Sequence, residues 1–172
     1  MDKHNRHHLD IIPVTDSSEI EQTAALALTI WNEHYVPIIG QAQVDYMLEK
    51  FQNSQAIAQQ INNHTFYYLA RDPESNRGYC ALQPEHSEQS VKLSKIYVLK
   101  QNQRRGIGST LMRFIEQQCI NWQAQHLWLT VNKYNTQAIQ FYLKMDFEIT
   151  EALQIDIGNG FIMDDYKMIR KL

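Results

Sequence analysis

At 172 residues, 44% of them hydrophobic and nine of them tyrosine, the chain can bury one core without disulfides or metals, which excludes disorder and a disulfide-stapled miniprotein. Its net charge of −3 disfavours nucleic acid as a partner, and its only cysteines, Cys80 and Cys119, lie far apart without CxxC spacing, so a reducing compartment is expected and no metal site. With no apolar run of membrane length and no signal-peptide core in MDKHNRHHLD, one cytoplasmic domain over 1–172 is expected, residues 1–8 forming a flexible tail whose His4, His7 and His8 bind metal at most adventitiously.

In chain order, residues 9–14 (LDIIPV) read as a short strand. Asp16 with Glu19 three positions on forms a capping box that opens a helix through Ile20, Ala24, Leu28 and Trp31. Residues 37–40 break it, and helical spacing returns over 45–51 and 54–62. The character then changes. Residues 65–70 (TFYYLA) make a strand, 72–78 (DPESNRG) a turn, and 79–82 and 91–99 two more strands. After a glycine-bearing loop, Ile107, Leu111, Phe114, Ile115 and Trp122 form an apolar helical stripe. A strand (126–131), a helix (135–145) and a strand (147–157) follow; a turn at 158–160 leads to the last strand (161–169). This order predicts an α/β sandwich, in the α+β sense, on a mixed sheet.

The loop before residue 107 carries the strongest chemical signal. Lys92, Lys95, Lys100, Arg104, Arg105 and Arg113 occur without an intervening acid; removing those six charges from a net of −3 leaves −9 for the rest of the chain. Gln103-Arg104-Arg105-Gly106-Ile107-Gly108 precedes a helix whose first turn exposes unpaired N–H groups, so the segment suits an anion, a pyrophosphate above all. The plainer alternative is a tight turn with a solvated basic face. A Walker loop is excluded because Gly108 is followed by Ser109 rather than lysine, and the dinucleotide fingerprint fails at Leu111.

Gln103-x-x-Gly106-x-Gly108 after the strand LSKIYV resembles the acetyl-CoA loop of the GNAT superfamily of N-acetyltransferases. A second block, Asn132, Asn135, Ala138, Phe141-Tyr142 and Met145-Asp146-Phe147, resembles the superfamily's next strand and helix, with Asp146 where a glycine often stands. WNEHYVPIIG, the Asp45-Tyr46-Met47 helix and IGNGFIMDDYKM further resemble the PaiA-like branch, which acetylates polyamines. The resemblance implies a mostly antiparallel sheet of about seven strands, flanked by helices and splayed between its two central strands. It implies acetyl-CoA as cofactor and direct attack by a small-molecule amine in a ternary complex. From the residues themselves, the acidity and the lack of a long apolar run argue against a nucleic-acid or membrane partner, and edge strands near the C-terminus would suit a homodimer. A non-catalytic CoA-binding module and a peptide or protein N-acetyltransferase remain alternatives.

By the same resemblance, backbone groups of Ile96, Tyr97 and Val98 pair with the pantetheine, and the amides of Arg104, Arg105, Gly106, Ile107, Gly108 and Ser109 hold the pyrophosphate, beside Gln103. Val98 N–H polarises the thioester carbonyl, Asn135 anchors the cofactor arm, Lys144 reaches the adenosine phosphates, and Tyr142 protonates the leaving thiolate. From the residues themselves, Glu33, His34 and Glu85 are candidates for the base; Trp31, His34, Tyr35 and Tyr46 form a candidate aromatic wall; and Glu33, Asp45 and Glu49 supply negative charge for a cationic acceptor. Core packing is the alternative for these aromatics, and for Tyr142. Cys80 and Cys119 have no activating neighbours and are expected to be buried and inert.

Overall fold

The computed structural model describes residues 9–172, so the expected tail and its histidines lie outside the described residues. Seven strands form one sheet: β1 (Asp10–Pro13), β2 (Phe66–Arg71), β3 (Asn76–Glu85), β4 (Ser90–Val98), β5 (His126–Asn132), β6 (Glu148–Gly158) and β7 (Phe161–Lys171), in the order β1-β2-β3-β4-β5-β7-β6. One face carries α1 (Ser17–His34), α2 (Val36–Ile39), α3 (Gln41–Met47) with a π-helical extension (Leu48–Gln52), and α4 (Ser54–Asn62). The other carries α5 (Ile107–Asn121) and α6 (Thr136–Lys144).

The capping box forms as the sequence implies. Asp16 Oδ1 accepts from Glu19 N at 2.8 Å, and Glu19 Oε2 accepts from Asp16 N at 3.1 Å. The buried face of α1 is Leu26, Ala27, Ile30 and Trp31, whereas Leu28 is 55% exposed, contrary to the expected stripe. A strict four-residue step advances roughly 40° beyond a full turn each time, so by Leu28 the series from Ile20 has rotated off the core. β3 starts earlier and ends later than its apolar centre suggests. The turn before it is closed tightly by Asp72, whose Oδ1 accepts from Glu74 N and Ser75 N while Oδ2 takes Arg77 Nε at 2.6 Å.

All neighbouring strands are antiparallel except β4 and β5, which run parallel for three rungs, Ser90–His126, Val91–Leu127 and Lys92–Trp128, and then part. Each follows its outer partner: β4 stays with β3, where a bulge lies between Ala81 and Leu82, and β5 stays with β7. Strand twist spreads them once the ladder between them ends. Close packing on the β3 side is possible because residue 78 is glycine; a Cβ there would lie 2.5 Å from the Tyr97 carbonyl. Asp146 adopts φ 63°, the left-handed position that ends α6, with Phe147 N donating to the Tyr142 carbonyl at 3.1 Å.

Candidate active site

Where β4 and β5 part, a cleft of about 890 Å³ opens. Leu99 N–H donates to the Arg77 carbonyl at 2.9 Å, which fixes the alternation along β4. Val98 and Ile96, opposite Gly78 and Cys80, therefore fall at positions whose N–H and C=O point away from β3 and into the split. Tyr97 points its backbone to β3 and its ring to the α1 face. Of the three residues expected to offer backbone groups, Ile96 and Val98 do so and Tyr97 contributes its side chain.

Past Val98 the chain makes a short 3₁₀ turn (Lys100–Asn102) and curls through two left-handed residues, Arg104 at φ 62° and Gly106 at φ 80°. Gly106 is the N-cap of α5 and brings no side chain to satisfy the first turn. The N–H groups of Ile107, Gly108 and Ser109 consequently have no acceptor among the described residues, and they face a mouth that Arg104 and Lys144 also line. Gly108 approaches α6 closely enough that its Cβ would sit 3.5 Å from the Phe141 ring. Arg105 is exposed and does not line the cleft, and the Ile107 side chain packs into the core. Gln103 Nε2 donates to the Val98 carbonyl at 3.4 Å.

Tyr142 on α6 is 8% exposed, lines the cleft, and has its ring against Phe141 and Phe147 at 5.6 and 5.7 Å. Burial, and secondarily the nearby Tyr35, push its phenol well above the usual tyrosine range, so it stays protonated. Its hydroxyl makes no hydrogen bond to a described residue.

Opposite this, Trp31 stacks on Tyr35 at 4.4 Å, and both meet the Tyr97 ring edgewise at 5.7 and 6.1 Å. His34 packs edgewise on Tyr35 at 4.8 Å; burial lowers its pKa, partly countered by Asn135 and reinforced by Lys100, which leaves it neutral at pH 7. Burial pushes Tyr35 up to about 12, with Tyr97 and Asn135 in reach of its hydroxyl. Asn135 Oδ1 also caps α6 by accepting from Ala138 N at 3.3 Å.

Five residues expected on the acceptor side lie elsewhere. Tyr46 turns to the far side of α3, donating its hydroxyl to the Ile157 carbonyl at 2.6 Å and packing on Phe161. Glu85 ends β3 as an acceptor for Ser90 Oγ (2.6 Å) and Trp128 Nε1 (2.8 Å), outside the cleft. Glu33 is exposed and borders a side pocket of about 200 Å³ with Lys100 and Gln137. Asp45 and Glu49 do not line the cleft either.

Among the described residues the one carboxylate that lines it is Asp165, on β7 opposite Asn132, and the sequence reading missed it. It is 3% exposed. Burial raises its pKa to about 6, Thr130 holds it down in part, Asp164 raises it and Lys133 lowers it. Its signal in the sequence is an acid at an inward position of a strand with neighbours on both sides. Lys95, 7% exposed on β4, is a second such residue. Both thiols are buried, and burial drives both pKa values upward, Cys119 to about 12; neither lines the cleft. Among the described residues no cluster of three His, Cys, Asp or Glu is placed to hold a metal, and no helix is long and apolar enough to cross a membrane.

Residues 27–147 match the family model described as Acetyltransferase (GNAT) family. A Mycobacterium bovis protein described as an uncharacterized N-acetyltransferase is 33% identical over 85 residues, 49% of this chain and 54% of its own length. The chain thus spans about half the length of the curated relatives it matches. Among solved structures, PaiA N-acetyltransferase from Thermoplasma acidophilum, in complex with coenzyme A, superposes with TM-score 0.80 at 16% identity, covering 96% of this chain and 99% of that one. A GCN5-related N-acetyltransferase from Rhodopseudomonas palustris does so with TM-score 0.79 at 16% identity, covering 95% of each. These likenesses carry the fold.

Proposed function

The chain belongs to the GNAT acetyltransferase family, and from that premise we propose that it transfers the acetyl group of acetyl-CoA to a primary amine of a small molecule, by direct attack with both substrates bound. The observation that carries this reading is the free edge of β4 at Ile96 and Val98, running straight into the uncapped, glycine-lined start of α5. An amide-bearing arm can pair with the first as a missing strand does, and a diphosphate suits the N–H groups of Ile107, Gly108 and Ser109. The residues fit the coenzyme.

When bound, acetyl-CoA supplies an activated acetyl group and a sulfur that must leave. Val98 N–H is the donor for the carbonyl oxygen as charge develops on it. Asp165 attracts the amine and takes its proton. An ammonium of pKa about 10.4 first gives one proton to solvent, at a cost of roughly 4–5 kcal/mol at pH 7, before its nitrogen can attack. Once that nitrogen bonds to carbon its second proton is far more acidic, and a carboxylate titrating near 6 suffices to take it. Tyr142, which lines the cleft, would face the leaving sulfur. Its raised pKa makes complete proton transfer to a thiolate of ordinary pKa about 8.5 uphill, so its contribution is a hydrogen bond from the phenol. The buried, unactivated thiols favour direct transfer over an acyl-cysteine route.

A panel of amines, polyamines included, assayed by release of the CoA thiol tests the activity; CoA binding without thiol release from any amine would favour a regulatory module instead. Tyr142→Phe should cut kcat by about 10- to 100-fold, the value of one well-placed hydrogen bond to a developing charge, with coenzyme affinity within a factor of two or so. Unchanged turnover removes the role. Gly108→Val, whose side chain must meet Phe141 and the diphosphate, should weaken CoA at least about tenfold by calorimetry while the fold persists.

A further inference from the structure

Lys95 has no part in the transfer chemistry, yet its setting is costly. Nζ donates to Gln60 Oε1 at 2.7 Å, an oxygen to which the Tyr67 hydroxyl also donates at 2.6 Å. The Gln60 amide nitrogen is committed to the Phe51 carbonyl at 3.0 Å. Two of the three ammonium donors therefore have no acceptor among the described residues, and the Tyr67 ring lies 5.1 Å away. The neighbouring charge is Lys92, of like sign, which lines the same end of the cleft. Lys92 Nζ lies over the Trp128 ring at 4.9 Å, and the cleft lining also includes the uncharged Gln52, Asn63, Thr65 and Gln83. A buried ammonium held this way destabilises the fold, and a methionine of similar length would pack there better.

Asp165 lies on the other side of the split. It and Lys95 are not a pair: the charges acting on Asp165 come from Asp164 and Lys133, and the charge acting on Lys95 from Lys92. One cleft thus carries an acid on the β7 side of the split and two lysines on the β4 side.

We propose that the acceptor is a small zwitterion, an amine whose molecule also bears a carboxylate, with the amine toward Asp165 and the carboxylate against Lys95 and Lys92. This rests on the acetyltransferase reading and narrows its substrate. A polyamine would add cations beside two lysines and leave the Lys95 donors empty; a carboxylate has the lone pairs to fill them. Burial, then Lys92, lowers the Lys95 pKa to about 7, and an arriving carboxylate would return its proton.

The test compares matched acceptors, lysine with 1,5-diaminopentane and ornithine with 1,4-diaminobutane, together with spermidine, by CoA-thiol release from the full chain. The amino acids are expected to lead in kcat/KM by at least about tenfold, the scale of a charge-assisted hydrogen bond. In Lys95→Met that ratio should collapse toward one. Lys92→Met, at a partly exposed position, should reduce the ratio less and decides the matter if Lys95→Met does not fold. Calorimetry of wild-type protein with CoA and the amino acid at pH 7.5, in two buffers of different ionisation heat, should register proton uptake that Lys95→Met lacks. Preference for spermidine or the diamines, or a ratio unchanged in both variants, overturns the zwitterion but leaves the acetyltransferase standing. Thiol release from none of these amines, with CoA bound, fails the acetyltransferase reading itself.

Discussion

Replacing Asp165 with asparagine is expected to lower kcat/KM about a hundredfold or more, the usual scale for losing a positioned base, while CoA affinity holds. The pH profile makes the assignment specific. With the Asp165 pKa raised to about 6, activity of the wild type should climb as pH passes 6 and the carboxylate ionises, and the asparagine variant should lack that limb. Stability moves oppositely. Because the folded pKa lies above the ordinary 3.8, the native state binds this proton more tightly than the unfolded chain does. The resulting stabilisation is full below about pH 4 and disappears as pH rises through 6. Above pH 6 the native protein carries a costly buried charge, so Asp165→Asn should have an equal or higher Tm at pH 7, measured by calorimetry. Loss of activity together with a lowered Tm would mean that Asp165 serves the fold, and full activity would remove it from the chemistry.

Gly78→Ala should do the reverse, harming the fold and the coenzyme site together. The added Cβ would fall 2.5 Å from the Tyr97 carbonyl and 3.3 Å from Val98 Cα, both backbone atoms that no rotamer change can move. β4 must then shift away from β3 at the two residues that border the split. Overpacking of this kind costs about 3 kcal/mol, which urea denaturation would register as a lower midpoint with little change in slope. The displaced Ile96 and Val98 edge should also weaken CoA on the order of tenfold at temperatures where the variant is folded. Normal stability and normal affinity would mean that the strand accommodates the methyl group and that its position is not critical.

The half of the cleft proposed to hold the coenzyme was legible in the sequence because it is local. A strand, two glycines and a helix start lie within some fifteen residues, and neither a cap nor a backbone alternation needs a distant partner to be anticipated. The acceptor half is assembled from α1, α4, β4 and β7, and sheet order decides which side chains meet. Insertion of β7 between β5 and β6 is what brings Asp165 opposite Asn132, and no periodicity reports it. Tyr46 and Glu85 have suitable chemistry and were expected at the cleft, yet each is tied elsewhere by one hydrogen bond or two. Residue type gave their chemistry; helix phase and strand pairing gave their address. Leu28 illustrates the same error at smaller scale, a fraction of a turn sufficing to expose it.

The three-rung seam between β4 and β5 also has a bearing on how long the protein lasts in a cell. A coenzyme arm lying along β4 would complete hydrogen bonds that the polypeptide alone leaves undone, and whatever binds only the folded form stabilises it by mass action, about 2.7 kcal/mol at a hundredfold excess over Kd. On the acetyltransferase reading proposed above, a shortage of acetyl-CoA would then leave the chain both without its acetyl donor and more perishable, so that its abundance would follow the supply of that coenzyme.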